Sequence, residues 1–266
     1  MHIHFSPDHQ RARRSGAIGL AGRAVELEMA GIVLKSHHYD TTPVAVTVME
    51  AVPGVAVYGG IALNEAVGGL NPAAVEACAK MGGKIVWMPT RSAAADFRRK
   101  GKSGGIEICT GGKPLSKVIE ILKIIKANDM ILATGHIAPE ESHVLLEAAK
   151  SLKLEKMLVT HAGQHSLTHG MTVDQMKQFV RIGAYIEFCA YVMTPLESSM
   201  PPQSLADLMR EIGPERCVFS TDFGQAFSPI APEGFRTSMA VLLETGMSEK
   251  DVRIMVQDNP KKLLGV

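Results

Sequence analysis

Eight short apolar runs recur along this chain, and each is followed by a stretch whose apolar residues repeat at helical spacing. The runs occupy residues 1–5, 32–37, 55–58, 84–88, 130–136, 156–161, 184–188 and 217–222. Runs of this length, bounded by Gly, Pro or Asn, read as buried strands. Strands that alternate with helices predict a parallel sheet covered by helices, because parallel neighbours need a long crossover. Eight such units in 266 residues predict an α/β fold of the TIM-like (β/α)8 barrel type, a single domain over residues 1–266. The rival is an open doubly wound sheet, which calls for a glycine-rich phosphate loop after the first strand. Residues 6–16 contain no G-x-G-x-x-G.

Local signals punctuate the pattern. Helices are predicted over 17–30, closed by Gly31 at the C′ position, and over 42–52. Asn71-Pro72 opens the next with a cap and a proline at its first position. Further helices are predicted over 114–128, 139–152, 204–212 and 232–244. Thr172 and Gln175 make a capping box before a helix that stops at Gly183, and Ser248 caps the last one. Residues 91–113 form the longest irregular region, with a small hairpin expected around residues 106–109.

Composition excludes some roles. The net charge of +1 gives no electrostatic case for nucleic acid. No apolar run approaches the ~20 residues of a membrane span, and no leader is expected. Cys78, Cys109, Cys189 and Cys217 are scattered without a C-x-x-C, as expected of reduced thiols in a cytoplasmic protein. The expected partner is a small-molecule substrate.

The chemistry gathers at strand ends. His2 and His4 alternate with apolar neighbours, so both imidazoles face one side of an extended strand. His4, His136, His161 and Asp222 each fall at or near the end of a strand, where barrel enzymes place their active sites. Imidazoles with one carboxylate suit a divalent metal, with Zn²⁺ first among candidates. Lys35 is in register with His37 on strand two, one of them facing the lumen. His37, His38 and His143 show no matching partner pattern, and His165 and His169 are read as surface or substrate contacts. The loop over residues 91–113 is long for a βα connection and rich in Arg and Lys. It is read either as a solvated basic loop or as a lid in which Arg91 grips an anionic substrate while Arg98, Arg99 and Lys100 act at long range.

On these motifs the sequence resembles the amidohydrolase superfamily of metal-dependent barrel enzymes. The matches are HIH on strand one, ATGH on strand five, VTHAG on strand six, STDFG on strand eight and the NPKKLLGV tail. The resemblance implies that His2, His4 and Asp222 bind a first metal. It implies that His136 binds a second metal or completes a single site, and that His161 binds the second metal or orients the attacking water. Asp222 would accept the proton of that water. Superfamily members commonly carry a bridging lysine or glutamate on strand four, where this chain reads KIVWMPT. Lys35 is then either a substitute bridge or a substrate-binding lysine. The first strand also lacks the residues that usually precede it, which leaves it short. The implied function is metal-dependent hydrolysis of an amide, lactam, lactone or ester in a small molecule, with one or two ions. A decarboxylase or hydratase on the same scaffold is the alternative. A non-catalytic metal protein and a His-x-His phosphoesterase rank behind both.

Overall fold

The computed structural model describes residues 1–164, 171–194 and 200–266. His165 and His169 lie outside them. Eight parallel strand segments follow the predicted order: β1 (Ile3–His4), β2 (Gly31–Lys35), β3 (Ala56–Tyr58 and Gly60–Ala62), β4 (Ile85–Trp87), β5 (Ile131–Ala133), β6 (Met157–Val159), β7 (Tyr185–Cys189) and β8 (Cys217–Ser220). They form two sheets, β1-β2 with the first half of β3, and β8-β7-β6-β5-β4 with its second half. The sheets meet at both edges. On one side the two halves of β3 are joined through Gly59, where an added Cβ would lie 2.4 Å from the Thr42 Cα and block the close approach of the next helix. On the other, Ile3 bridges Phe223 in parallel fashion, and the His4 amide donates to the Phe223 carbonyl at 2.8 Å. The architecture is a (β/α)8 barrel.

The period-2 alternation of strands decides what fills the lumen. Val33, Ile85, Trp87, Ile131, Ala133, Leu158 and Val218 form one buried cluster, closed from below by Leu263 and Leu264. The alternate residues, among them Ile3, Leu34, Val86, Leu132, Val159, Ile186, Phe188 and Phe219, pack against the helices in a second cluster. Trp87 fills the lumen at 1% exposure, and its loss to alanine would cost about 3–5 kcal/mol.

Helix boundaries follow capping chemistry. Asn71 accepts from the Ala74 amide, Thr172 and Gln175 satisfy each other's backbone donors, and Ser248 accepts from Asp251. Three expectations are corrected. The first helix ends at Glu26, and Gly31 begins β2 instead of closing it. The helix predicted over 204–212 starts earlier, at Pro202. The loop after β4 is not irregular: it carries a short helix, Ala94–Arg99, and a hairpin of Cys109–Thr110 with Lys113–Pro114. Ala93, Ala94, Ala95 and Ile108 are buried, so the burial of three small side chains and one large one gives this insertion order that local periodicity does not reveal.

Candidate active site

His2 and His4 face the lumen, as their alternation with Ile3 and Phe5 requires. The Asp222 amide donates to the His2 carbonyl at 3.0 Å, which brings the end of β8 against β1. As a result His2 Nε2 and His4 Nε2 lie 3.2 and 3.1 Å from Asp222 Oδ1. Asp222 and His161 hold positive φ angles of 54° and 34°. Backbone of this kind persists only where the surroundings over-determine it, and it concentrates at functional sites.

Protonation follows from the partners. An ionised carboxylate can only accept, so the contact of 3.2 Å between His2 Nδ1 and Glu187 Oε2 places the proton on Nδ1. His4 Nδ1 donates in the same way to the Lys35 carbonyl at 3.1 Å. Both rings therefore turn an unprotonated Nε2 toward Asp222. Burial outweighs the pull of Asp222 and lowers His4 to about 3 and His161 to about 4. Burial likewise holds His37 and His136 well below the usual imidazole range. For Asp222 burial works the other way, but His2, His4 and His161 outweigh it and hold the carboxyl well below its ordinary value. Glu187 is brought down to about 2 because His2 and His161 overcome its burial.

His2 Nε2, His4 Nε2 and an Asp222 oxygen thus lie within 4.8 Å of one another, with the Lys35 ammonium beside the first of them. Imidazole nitrogens with one carboxylate are a donor set that fits a divalent metal. His136 and His161 extend the site. Their rings lie 4.9 Å apart, His161 stacks at 5.9 Å on His2, and the buried Nδ1 atoms of both lack a hydrogen-bond partner among the described residues. Two further groupings fit less well. Cys189 stands near His2 and Glu187, but burial pushes its thiol well up, and a protonated thiol is a poor ligand. Asp8 stands with His9 and His38, but its oxygens are taken by Arg13 and the amides of Gln10 and Arg11.

Lys35 is buried, with Nζ 2.9 Å from His2 Nε2 and 5.1 Å above the Trp87 ring. Burial lowers it to about 8 against the pull of Asp222 and Glu187. A cavity of about 280 Å³ opens over these groups, walled by Arg11, Arg13, Arg91, Arg99 and Lys100. Arg91 donates to Gln10 Oε1 at 3.2 Å and meets no carboxylate among the described residues. Arg99 and Lys100 share Asp96 and line the cavity themselves, closer than the expectation that they act mainly at long range. Arg98 turns away to Glu107.

Two residues of the site were not assigned to it from the sequence. His37 stacks on His4 at 4.7 Å and lines the cavity. The sequence set it in register with Lys35 with one of the two facing the lumen, and both line the cavity. Glu187 bonds His2, the His161 amide and Ser220 Oγ from the middle of β7. Its signal was a carboxylate inside an apolar strand, a position charged residues occupy only when paired.

A family model described as "Family of unknown function (DUF6282)" matches residues 1–187. Comparison with curated proteins gives no match. Among solved structures, an amidohydrolase from Pseudomonas aeruginosa superposes with a TM-score of 0.68 at 14% identity, over 98% of this chain and 93% of that one. A putative 2-pyrone-4,6-dicarboxylic acid hydrolase from Pseudomonas putida gives 0.66 at 15% identity, over 99% and 96%. The probable dipeptidase PvdM from Pseudomonas aeruginosa gives 0.63 at 11% identity, over 97% and 90%. At these identities the likeness is one of fold.

Proposed function

The chain belongs to the DUF6282 family, and from that premise we propose that it is a metal-dependent hydrolase of a small anionic molecule. The observation that carries the reading is the convergence of His2 Nε2 and His4 Nε2 on Asp222 Oδ1, with His4 and Asp222 lining the cavity. The structural neighbours, a putative pyrone-dicarboxylic acid hydrolase and a probable dipeptidase among them, support attack at a carbonyl in an amide, lactam, lactone or ester.

His2, His4 and Asp222 would hold the ion, with His136 and His161 beside them for the same ion or a second one; Zn²⁺ suits this donor set. A divalent ion there would supply Lewis acidity and a water whose pKa is lowered to ~7. Asp222 takes the proton from the attacking water. A carboxylate this acidic does not keep it, and passes it to the leaving oxygen or nitrogen. His161, fixed through its amide by Glu187, orients the water. Lys35 places a cation, or a bridging group built on Nζ, beside His2. Arg91 grips a substrate carboxylate through its planar fork.

Metal analysis of the purified protein, joined to a hydrolysis screen over anionic amides, lactones and esters, tests the reading. His4→Ala and Asp222→Asn should lose metal or more than 100-fold in kcat. Full activity in either variant when metal-replete would sink the mechanism. Release of carbon dioxide without uptake of solvent oxygen would move the assignment to a lyase.

A further inference from the structure

We propose that His37 is a hydrogen-bond donor to the reacting carbonyl oxygen of the substrate and not a metal ligand. The inference rests on the hydrolase reading for what reacts, and on a buried hydrogen-bond chain for which ring nitrogen carries the proton.

The chain starts at Asn64. Its Oδ1 accepts from the Thr90 amide at 2.9 Å and the Ser92 amide at 3.0 Å, and backbone amides can only donate. Nδ2 is therefore the other end of the side chain, and it donates to the His37 carbonyl at 2.9 Å and to Thr90 Oγ1 at 2.7 Å. Thr90 and Asn64 are buried, at 0% and 3% exposure, so an unused hydroxyl proton would be costly. Thr90 directs its single proton onto the remaining partner, His37 Nδ1, at 2.7 Å. In this arrangement every buried donor of the chain meets an acceptor. His37 Nδ1 is then an acceptor, and a neutral ring carries its proton on Nε2.

His2 and His4 have the opposite tautomer, with the proton on Nδ1 and a lone pair on Nε2. His37 and His4 are stacked at 4.7 Å, so the cavity floor sets a metal-binding lone pair beside an N–H. A metal needs the first, and a carbonyl oxygen that gains charge needs the second. As the water oxygen bonds to the carbonyl carbon, the carbonyl π pair moves onto oxygen, where the His37 Nε2–H meets it. When the bond to the leaving atom breaks, that pair returns, and the proton held by Asp222 goes to the leaving atom. His37 keeps its proton throughout, which is consistent with a ring that burial holds well below the usual imidazole range.

The test uses the metal-loaded full chain labelled with ¹⁵N-histidine, with 4-nitrophenyl acetate and dihydrocoumarin as probe substrates. The expected spectrum assigns His37 a protonated Nε2. His37→Ala should lower kcat by about 100-fold, the effect of removing one such donor, with KM within threefold and metal stoichiometry unchanged. Thr90→Val should release the tautomer and lower kcat at least tenfold, and Thr90→Ser should restore both. Loss of metal in His37→Ala, a ring protonated on Nδ1, or an unchanged kcat overturns the proposal. If the wild type hydrolyses neither probe nor any member of the wider screen, the hydrolase reading fails by itself. The spectrum and the metal content then still decide His37: a protonated Nε2 with metal retained upholds the donor, and the reverse removes it.

Discussion

His2 Nδ1 donates to Glu187 Oε2 at 3.2 Å, and both groups are 1% exposed. The same carboxylate accepts from Ser220 Oγ at 2.7 Å and from the His161 amide at 3.2 Å. One side chain on β7 thereby fixes His2, the first histidine of the proposed metal site, and the strand end that carries His161. Glu187→Gln keeps the volume and removes the charge that selects the His2 tautomer. Metal affinity, measured by competition with a chelator, should fall about 10–100-fold, the usual effect of losing a partner of this kind. Unchanged affinity would show that His2 is oriented by packing alone.

Arg91 faces the cavity beside Arg11 and Arg13 without a carboxylate of its own among the described residues. Its side chain is free to bind a substrate anion. Arg91→Ala should raise KM at least tenfold for an anionic substrate and leave its neutral ester within twofold. Arg91→Lys should recover only part of the loss, because an ammonium cannot make the paired contact. Equal losses on both substrates, or none on either, would remove the case for anion recognition.

The metal-free protein should be sensitive to acid. An unfolded histidine takes its proton near pH ~6.5, whereas burial holds His4 to about 3 and His161 to about 4 in the folded state. Between those values the unfolded chain binds more protons, so stability falls as pH falls. His37 and His136 act in the same direction. Glu187, depressed to about 2, adds a further loss below the usual carboxylate range. Each such histidine contributes up to about 1.4 kcal/mol per pH unit, and a chain of this size loses about 2–4 °C per kcal/mol. Melting of the chelated protein should therefore drop by about 10 °C between pH 7.5 and 5.5. Saturating metal should raise the melting temperature by a similar amount at both pH values, since only the folded state has the site and its histidines stay unprotonated across this range. A flat profile would mean that these histidines are already charged in the fold.

Gly224 has a φ of 139°, and a Cβ added there would fall 2.1 Å from the His4 carbonyl oxygen. The glycine lets the segment after Asp222 pass close to β1. Gly224→Ala should open the seam between β1 and β8, lowering both Tm and metal content. Gly82→Ala is the control: its φ of 89° imposes similar strain, but nothing lies within 4 Å of the added atom. Equal metal content in the two variants would show that the seam does not govern the site.

The sequence by itself determined the barrel and brought together the residues of the candidate metal site. Strand and helix periods are local, and eight repeats of them leave few ways to bury the apolar faces. Strand parity and strand ends are also local, which is why His2, His4, His136, His161 and Asp222 could be named from spacing. The tertiary structure decided which other groups join them. Glu187 meets His2 across 185 positions, and Thr90 meets His37 across 53. No periodicity carries such pairings, because they exist only once the strands lie side by side. Protonation is likewise tertiary: His4 and His37 are both histidines at strand ends, and only the Lys35 carbonyl beneath one and the Thr90 hydroxyl beneath the other make the first a lone pair and the second a donor.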